Sequence, residues 1–578
     1  MRPKPMQLND AFKQYSHDQD KIITPEQTVE RFKKRLVESD LKLLDDVVRI
    51  DNGRLNIPVY FSICGPEARA AIGNYKQMGK GATPAQSRAS AVMELGERFS
   101  LFSFYRNNDN FVTGAEKEIG EPKMSLSQIA RSVEDDSEDV AIASKFFTEL
   151  PLRWTWAQNL TKGEVVMVPF NWFWTINEFN GSSAGNCNEE ALCQGICEVV
   201  ERHVSSLVSR HRIKTPRIDP ASINDPVAIE LIDKFLSAGV ELYISDFTLD
   251  MGIPSIGAIA WDPSTFPKNS EIVWTAGTMP SASKALCRAL TEVAQLAGDF
   301  NSGGNYVASG LPKFQDLASA DYVINPGKST PLNNLPELGD NNIKVEVERC
   351  MAALADRDME VYVVDVRHPT LGIPAFYTII PGTQFRERAA HSSMGMIVAK
   401  IITDTYTPER AADKLKQFDA ALPDKYYLQF YQGQTYLNLG DHSKAIAFLE
   451  KALDLAPPDE DLASVYTYLG VCYKELGRFD TAEKVLAKGN RIDPERTDTL
   501  NLLGYCHFKM KNHEQAITCF RKLIDLDPSS AIDYANIASN YRAMGKKKKA
   551  IEYYQLALAL DSSIEFAKEH LAQLGVQS

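Results

Sequence analysis

The sequence predicts an α+β domain with two related halves, followed by an all-α superhelix of stacked helical hairpins. Three observations carry that expectation. Residues 79–98 and 183–202 repeat one local pattern. Strand-like runs alternate with acid-bearing helices between residues 24 and 400. From about residue 420 a helical-hairpin pattern returns with a period close to 34 residues. A chain of 578 residues exceeds one ordinary core, so two or three domains are expected.

Taken in order, residues 1–20 form an N-terminal extension, MRPKPMQLNDAFKQYSHDQD, too polar for a signal peptide. Residues 21–400 mix strands with helices. Thr24-Pro25-Glu26 reads as a helix start, with a capping hydroxyl and a proline at the first helical position. LNIPVYFSI, EVVMVPF, ELYISDF, SIGAIAW and MEVYVVDV read as strands, and IPAFYTIIPG as another ending in a turn. Residues 401–423 look like a helical linker. In 424–578, Ala445, Ala482, Ala516 and Ala550 mark one position in four units, at separations of 37, 34 and 34. Pro457, Pro494 and Pro528 close the first three units with the same spacing, and Ser562 takes that place in the fourth. Small Ala and Gly let paired helices approach while Tyr, Phe and Leu fill the stacked core. This region resembles the tetratricopeptide repeat family, which implies a concave groove for a peptide or partner protein.

With 44% hydrophobic and 24% charged residues, the composition is that of an ordinary globular protein. The formal charge of −13 argues against a general nucleic-acid binder, which a phosphate backbone would repel. The basic run Lys546–Lys549 reads as a solvated helix start. Nine cysteines without a close-spaced framework fit a reducing cytoplasm. Cys187, Cys193 and Cys197 read as small packing residues, since no fourth zinc ligand has suitable spacing. No apolar run reaches membrane-spanning length.

The repeated pattern is where the chemistry concentrates. The first copy reads GKGATPAQSRASAVMELGER and the second SAGNCNEEALCQGICEVVER. Gly81, Glu94, Glu97 and Arg98 recur as Gly185, Glu198, Glu201 and Arg202, each 104 residues later. A third segment, ALCRALTEVAQ, ends in Glu292 and Gln295. Steps of three and four put Ser90, Glu94 and Glu97 on one helical stripe, Glu190, Gln194, Glu198 and Glu201 on a second, and Arg288, Glu292 and Gln295 on a third. An exposed helix normally pairs Glu with Lys at the next turn, and these stripes do not. Acids converging from three helices need cations, and magnesium carrying a polyphosphate suits hard carboxylate oxygens. Arg98 and Arg202 either contact phosphate or brace the adjacent acids. No GxxxxGK[ST] phosphate loop is present. The Gly79-Lys80-Gly81 stretch reads as a loop whose amides lie just ahead of a helix.

These three segments together resemble the nucleotide-binding signatures of the YcaO family. Flanking phrases agree: TPEQTVERF, SDFTLDMGIPSIGAIA and VDVRHPTLGIPAFYTIIPG. The resemblance spans roughly residues 21–400 and implies ATP and Mg2+ as cofactors. It implies activation of a backbone amide oxygen by phosphorylation, followed by azoline, thioamide or amidine formation, or a link to ribosomal-protein methylthiolation. Position by position, it implies Glu94, Glu97, Glu190, Glu198, Glu201 and Glu292 as magnesium and ATP carboxylates. Ser90, Asn186, Gln194, Arg202 and Arg288 fall where nucleotide contacts are expected, with Lys21 and Thr28 added from the N-terminal segment.

Two departures bear on the reaction. Cyclodehydrating members end in a Pro-x-Pro-x-Pro tail, whereas this chain ends LAQLGVQS, and no leader-peptide recognition module is evident ahead of the core. His203 stands where relatives often carry an acid, and reads as a satisfied, half-buried histidine, with a catalytic base as the alternative. Thioamidation or an accessory role in protein modification thereby gains weight over azoline formation. The competing readings are a non-catalytic adaptor that senses nucleotide and works through its repeats, and a carboxylate–amine ligase. The expected partners are a peptide or protein substrate and a protein held in the repeat groove, without nucleic acid or membrane; a homodimer stays open.

Overall fold

The computed structural model describes residues 2–120, 122–133, 135–303, 306–308, 310–385 and 393–575. The chain divides into two compact units, Met1–Val140 with Phe147–Met394, and Ala141–Phe146 with Gly395–Ser578.

The first unit is a mixed α/β body whose strands, numbered in chain order, form three sheets among the described residues. One joins β1 (Leu44–Arg49), β2 (Val59–Cys64) and β3 (Lys76–Lys80) in that order, antiparallel throughout. A second runs β11 (Val273–Thr278), β10 (Ser255–Trp261), β9 (Glu241–Asp246), β8 (Arg217–Ile218) and β12 (Ser329–Thr330). The third runs β4 (Val112–Gly114), β5 (Leu152–Asn159), β13 (Tyr362–Asp365), β14 (Ala375–Ile379) and β7 (Ser182–Ala184), with β6 (Glu164–Pro169) paired to β5. The strands expected from LNIPVYFSI, EVVMVPF, ELYISDF, SIGAIAW, MEVYVVDV and IPAFYTIIPG all form. The Thr24 start holds as well: its hydroxyl accepts from the Gln27 amide, and the Gln27 side chain accepts from the Thr24 amide, ahead of the helix Pro25–Ser39.

Each acidic signature lies on a helix that covers a sheet. Pro84–Arg106 packs on β2 and β3, Asn188–Arg210 on β7, β11 and β14, and Ala282–Ala297 on β10 and β11. The first two are each 23 residues long. Glycine permits the closest approaches. A Cβ on Gly79 would stand 2.2 Å from the Ala91 amide nitrogen, and one on Gly277 2.4 Å from the Ala285 carbonyl. This corrects the reading of Gly79-Lys80-Gly81 as a loop. Gly79 and Lys80 belong to β3, opposite Tyr60 and Val59, because strand pairing captures their backbone before the chain turns into the helix.

The second unit is helical. Hairpins form from Tyr426–Asn438 with His442–Asp454, Asp459–Glu475 with Phe479–Ile492, Thr497–Lys509 with His513–Leu526, and Ala531–Ala543 with Lys547–Leu560; Glu565–Gln573 follows. Ala445, Ala482, Ala516 and Ala550 are all fully buried, where a small side chain lets helices close on one another. The exposed Lys546–Lys549 run starts the Lys547–Leu560 helix. Within the stretch 401–423, expected as a helical linker, the chain is mostly helix: Met394–Thr405 and Pro408–Ala421 are helices, with Ile401, Ile402, Ala411, Leu415 and Phe418 buried. No described helix is long and apolar enough to cross a membrane.

Candidate functional site

The three signature helices enclose a cavity of about 360 Å³, within the range of small-molecule sites. Lys21, Thr28, Ser90, Glu94, Glu97 and Arg98 line it from the N-terminal part of the unit. Asn186, Glu190, Gln194, Glu198 and Arg202 line it from the second signature, and Arg288 and Glu292, with Gln295, from the third. Glu201 does not line it. Its carboxylate accepts from Arg288 Nε at 2.9 Å and from the Thr278 amide at 3.1 Å, so it ties the second signature helix to the third and to β11.

The acids are held by bases and amides. Arg98 donates to Glu94 at 2.8 Å, stands 3.8 Å from Glu97, and lies over the Phe179 ring at 4.3 Å. Of the two roles expected for Arg98, this arrangement is the bracing one. Lys80 pairs with Glu292. Gln194, with its amide oxygen turned toward Arg288, accepts from the guanidinium at 2.7 and 3.1 Å. Both Glu190 oxygens are engaged: one accepts from the Ile22 amide at 2.7 Å, the other from the Asn186 amide at 2.9 Å and its side-chain nitrogen at 3.0 Å. Asn186 also donates to Thr28 at 3.1 Å, and Lys21 lies 4.0 Å from Glu190. The N-terminal segment is thereby fastened to the second signature.

Burial and the neighbouring Glu94 carboxylate push Glu97 well above the ordinary carboxylate range, against the pull of Arg98. Burial also raises Glu198, although Arg202, Arg98 and Arg288 oppose it. Burial acts on Glu201 in the same direction, but Arg288 and Arg202 outweigh it and hold that carboxyl below its usual value. Among the described residues no three His, Cys, Asp or Glu groups stand close enough to hold a metal ion as they are arranged here. The residues nonetheless fit magnesium. They are hard oxygen donors, and Glu97 lies in a field of like charge that a divalent cation would relieve.

Several contributors carried no sequence signal. Ser182 donates to Glu97 at 2.5 Å and accepts from Arg98 at 3.3 Å, yet it lies just outside the repeated motif. Buried Asp18 accepts from the Ala82 amide at 2.6 Å and from Tyr15 at 2.8 Å, anchoring the segment expected to be a mere extension. His203 lies off the cavity and is more deeply buried than expected, its Nδ1 accepting from the Gln384 amide at 3.0 Å. Cys193 and Cys197 are buried free thiols and Cys187 is half-buried, consistent with packing roles.

Both parts of the chain match known families. A model of the YcaO family, described as an ATP- and Mg2+-binding cyclodehydratase, matches residues 78–384, and a tetratricopeptide repeat model matches 427–494 and 495–563. An uncharacterized protein of Methanothermobacter thermautotrophicus is 27% identical over 387 residues, covering 63% of this chain and 94% of its own. The ribosomal protein S12 methylthiotransferase accessory factor YcaO of Escherichia coli is 24% identical over 449 residues, covering 67% of this chain and 73% of its own. The fold is similar to that of YcaO from Methanopyrus kandleri solved with AMPPCP and Mg2+, at TM-score 0.50 and 23% identity, covering 65% of this chain and 95% of that one. The chain belongs to the YcaO family, and carries tetratricopeptide repeats after the family's domain.

Proposed function

We propose that this protein uses ATP and magnesium to activate a backbone amide of a peptide or protein by O-phosphorylation, leading to a thioamide or an azoline-type product. The observation that carries this reading is the convergence of Glu94, Glu97, Glu198 and Glu292 with Arg98, Arg202 and Arg288 around one cavity. MgATP, when bound, supplies the phosphoryl group that turns a poor amide leaving group into phosphate. Glu94, Glu97, Glu198 and Glu292 would hold the metal ions. Glu190 and Glu201 brace the walls through the Ile22 and Asn186 amides and through Arg288. Ser90, Asn186 and Gln194, with Lys21 and Thr28, orient the nucleotide. Arg202 and Arg288 offset charge on the transferred phosphoryl group. The activated carbon then accepts a Cys, Ser or Thr side chain or a sulfur nucleophile, and the former amide oxygen departs with phosphate. The repeat unit recruits the substrate or a partner. The E. coli relative's description leaves an accessory role in ribosomal-protein methylthiolation as the alternative setting.

The test is calorimetric titration with MgATP. Glu198→Ala and Glu292→Ala should each weaken binding at least about tenfold; unchanged affinity in both removes the reading. Mass measurement of a protein captured through residues 424–578 then separates the reactions. Loss of water marks cyclodehydration, exchange of oxygen for sulfur marks a thioamide, and binding without any turnover marks a nucleotide-sensing adaptor.

A further inference from the structure

Lys80, the last residue of β3, lines the cavity and pairs there with Glu292 of the third signature helix. Its amide donates to the Ser90 hydroxyl at 3.3 Å, which fixes its backbone against the first signature helix. Two other cations of the site are braced in place. Arg98 is bound to Glu94 and covered by the Phe179 ring, and Arg288 is bound to Glu201 and Gln194. Lys80 differs from both, because it is a compact ammonium on a flexible four-carbon stem. Its partner is also one of the carboxylates assigned above to metal. The pair is largely shielded from water, with the two side chains 13% and 16% exposed. Burial, with Arg288 and Arg202, pulls the amine down to about 7, while Glu201 and Glu94 act against them. The ammonium is thus short of negative charge in this setting, and a polyphosphate would supply it.

We propose that Lys80 is a built-in substitute for magnesium: it holds Glu292 until a nucleotide arrives, then moves onto the polyphosphate and releases Glu292 to the metal. The inference rests on the reading of this cavity as a MgATP site and deepens it by naming how loading is controlled. A carboxylate committed to an ammonium is not free to coordinate a metal ion. Metal arriving alone must break the Lys80–Glu292 pair and leave the ammonium buried beside Arg288 and Arg202, which is costly. A polyphosphate removes that cost, because it accepts the displaced ammonium where two guanidinium groups already favour an anion. Nucleotide and metal therefore strengthen each other's binding, and a bare ion does not fill the site first.

The experiment uses the full-length protein at one fixed pH and two separate titrations. Mn2+ without nucleotide is followed by electron paramagnetic resonance, and AMPPCP without metal by calorimetry. Lys80→Met should bind Mn2+ at least about tenfold more tightly than the wild type, because the competing cation is gone. The same variant should bind metal-free AMPPCP at least about tenfold more weakly. Opposite signs are the diagnostic, since a lysine that only supports the fold would weaken both. Lys80→Gln serves as a second variant should Lys80→Met fail to fold. Lys21→Met controls for overall charge and should leave Mn2+ affinity within about twofold of the wild type. Mn2+ affinity that is not raised in the Lys80 variants, or is raised equally in Lys21→Met, overturns the proposal. So does metal-free AMPPCP binding that is absent from the wild type or undiminished in the variants. Failure of the wild type to bind MgAMPPCP sinks the underlying amide-activation reading instead, so the two failures are distinguishable.

Discussion

His203 follows Glu201 and Arg202 in the chain yet takes no part in the cavity. It is buried, its Nδ1 accepts from the Gln384 amide, and burial pushes it down from 6.5 to about 4; Arg210 acts in the same direction and Asp250 against it. The folded protein therefore keeps this imidazole neutral over a pH range in which the unfolded chain protonates it. A depressed histidine contributes stability that is intact above about pH 6.5 and is lost as pH falls toward 4. The ceiling on that loss is about 3 kcal/mol. His203→Gln retains a polar side chain but cannot titrate. Urea unfolding of the nucleotide-binding unit should show wild-type stability falling about 2–3 kcal/mol more than the variant's between pH 7 and pH 4.5. Parallel declines would show that this histidine is not held neutral by the fold.

At the level of elements, the signature helices show what a sequence pattern can and cannot convey. Spacings of three and four carried the stripes Ser90–Glu94–Glu97 and Arg288–Glu292–Gln295 to one cavity, because helical geometry converts such intervals directly into faces. The same reasoning put Glu201 on its stripe but could not tell that Arg288 would claim it, since that contact joins residues 87 positions apart. Ser182 and Asp18 were illegible for a similar reason: their partners are set by how sheets and helices stack, not by local spacing. Gly79 is the instructive miss. Read as part of a loop, it is a strand residue on which Ala91 and Ser87 of the signature helix rest, with a would-be Cβ at 2.2 and 2.4 Å from their backbone atoms. Gly79→Ala should therefore lower stability by about 1–3 kcal/mol and weaken MgATP binding, because it displaces the helix that carries Ser90 and Glu94. A circular-dichroism melt together with nucleotide titration checks both, and a variant with wild-type values would show that strand and helix separate without consequence.

For the whole molecule, the helical unit begins earlier than its repeat pattern. Alanine and proline periodicity is readable from 424, but the helices Met394–Thr405 and Pro408–Ala421 carry no repeat signature and are held by particular contacts. The Tyr427 ring sits where any side chain on Gly395 would strike its hydroxyl, Gln429 donates to Asp419 at 2.7 Å, and Phe146 stacks on buried Phe418 at 4.3 Å. Tyr427, Leu428 and Tyr431 of the first repeat are all buried. In a stack stabilised by nearest neighbours, removing the hairpin that precedes the first repeat strips cover from one terminal helix. Each large apolar side chain so uncovered costs about 1.5–3 kcal/mol when fully exposed. A fragment of residues 424–575 should therefore melt more than about 5 °C below one of residues 395–575, given a shift of roughly 2–4 °C per kcal/mol at this size. Both fragments lack Phe146, so that stacking partner does not bias the comparison. Equal melting temperatures by circular dichroism would show that the repeats are self-sufficient and that the preceding hairpin contributes nothing to their stability.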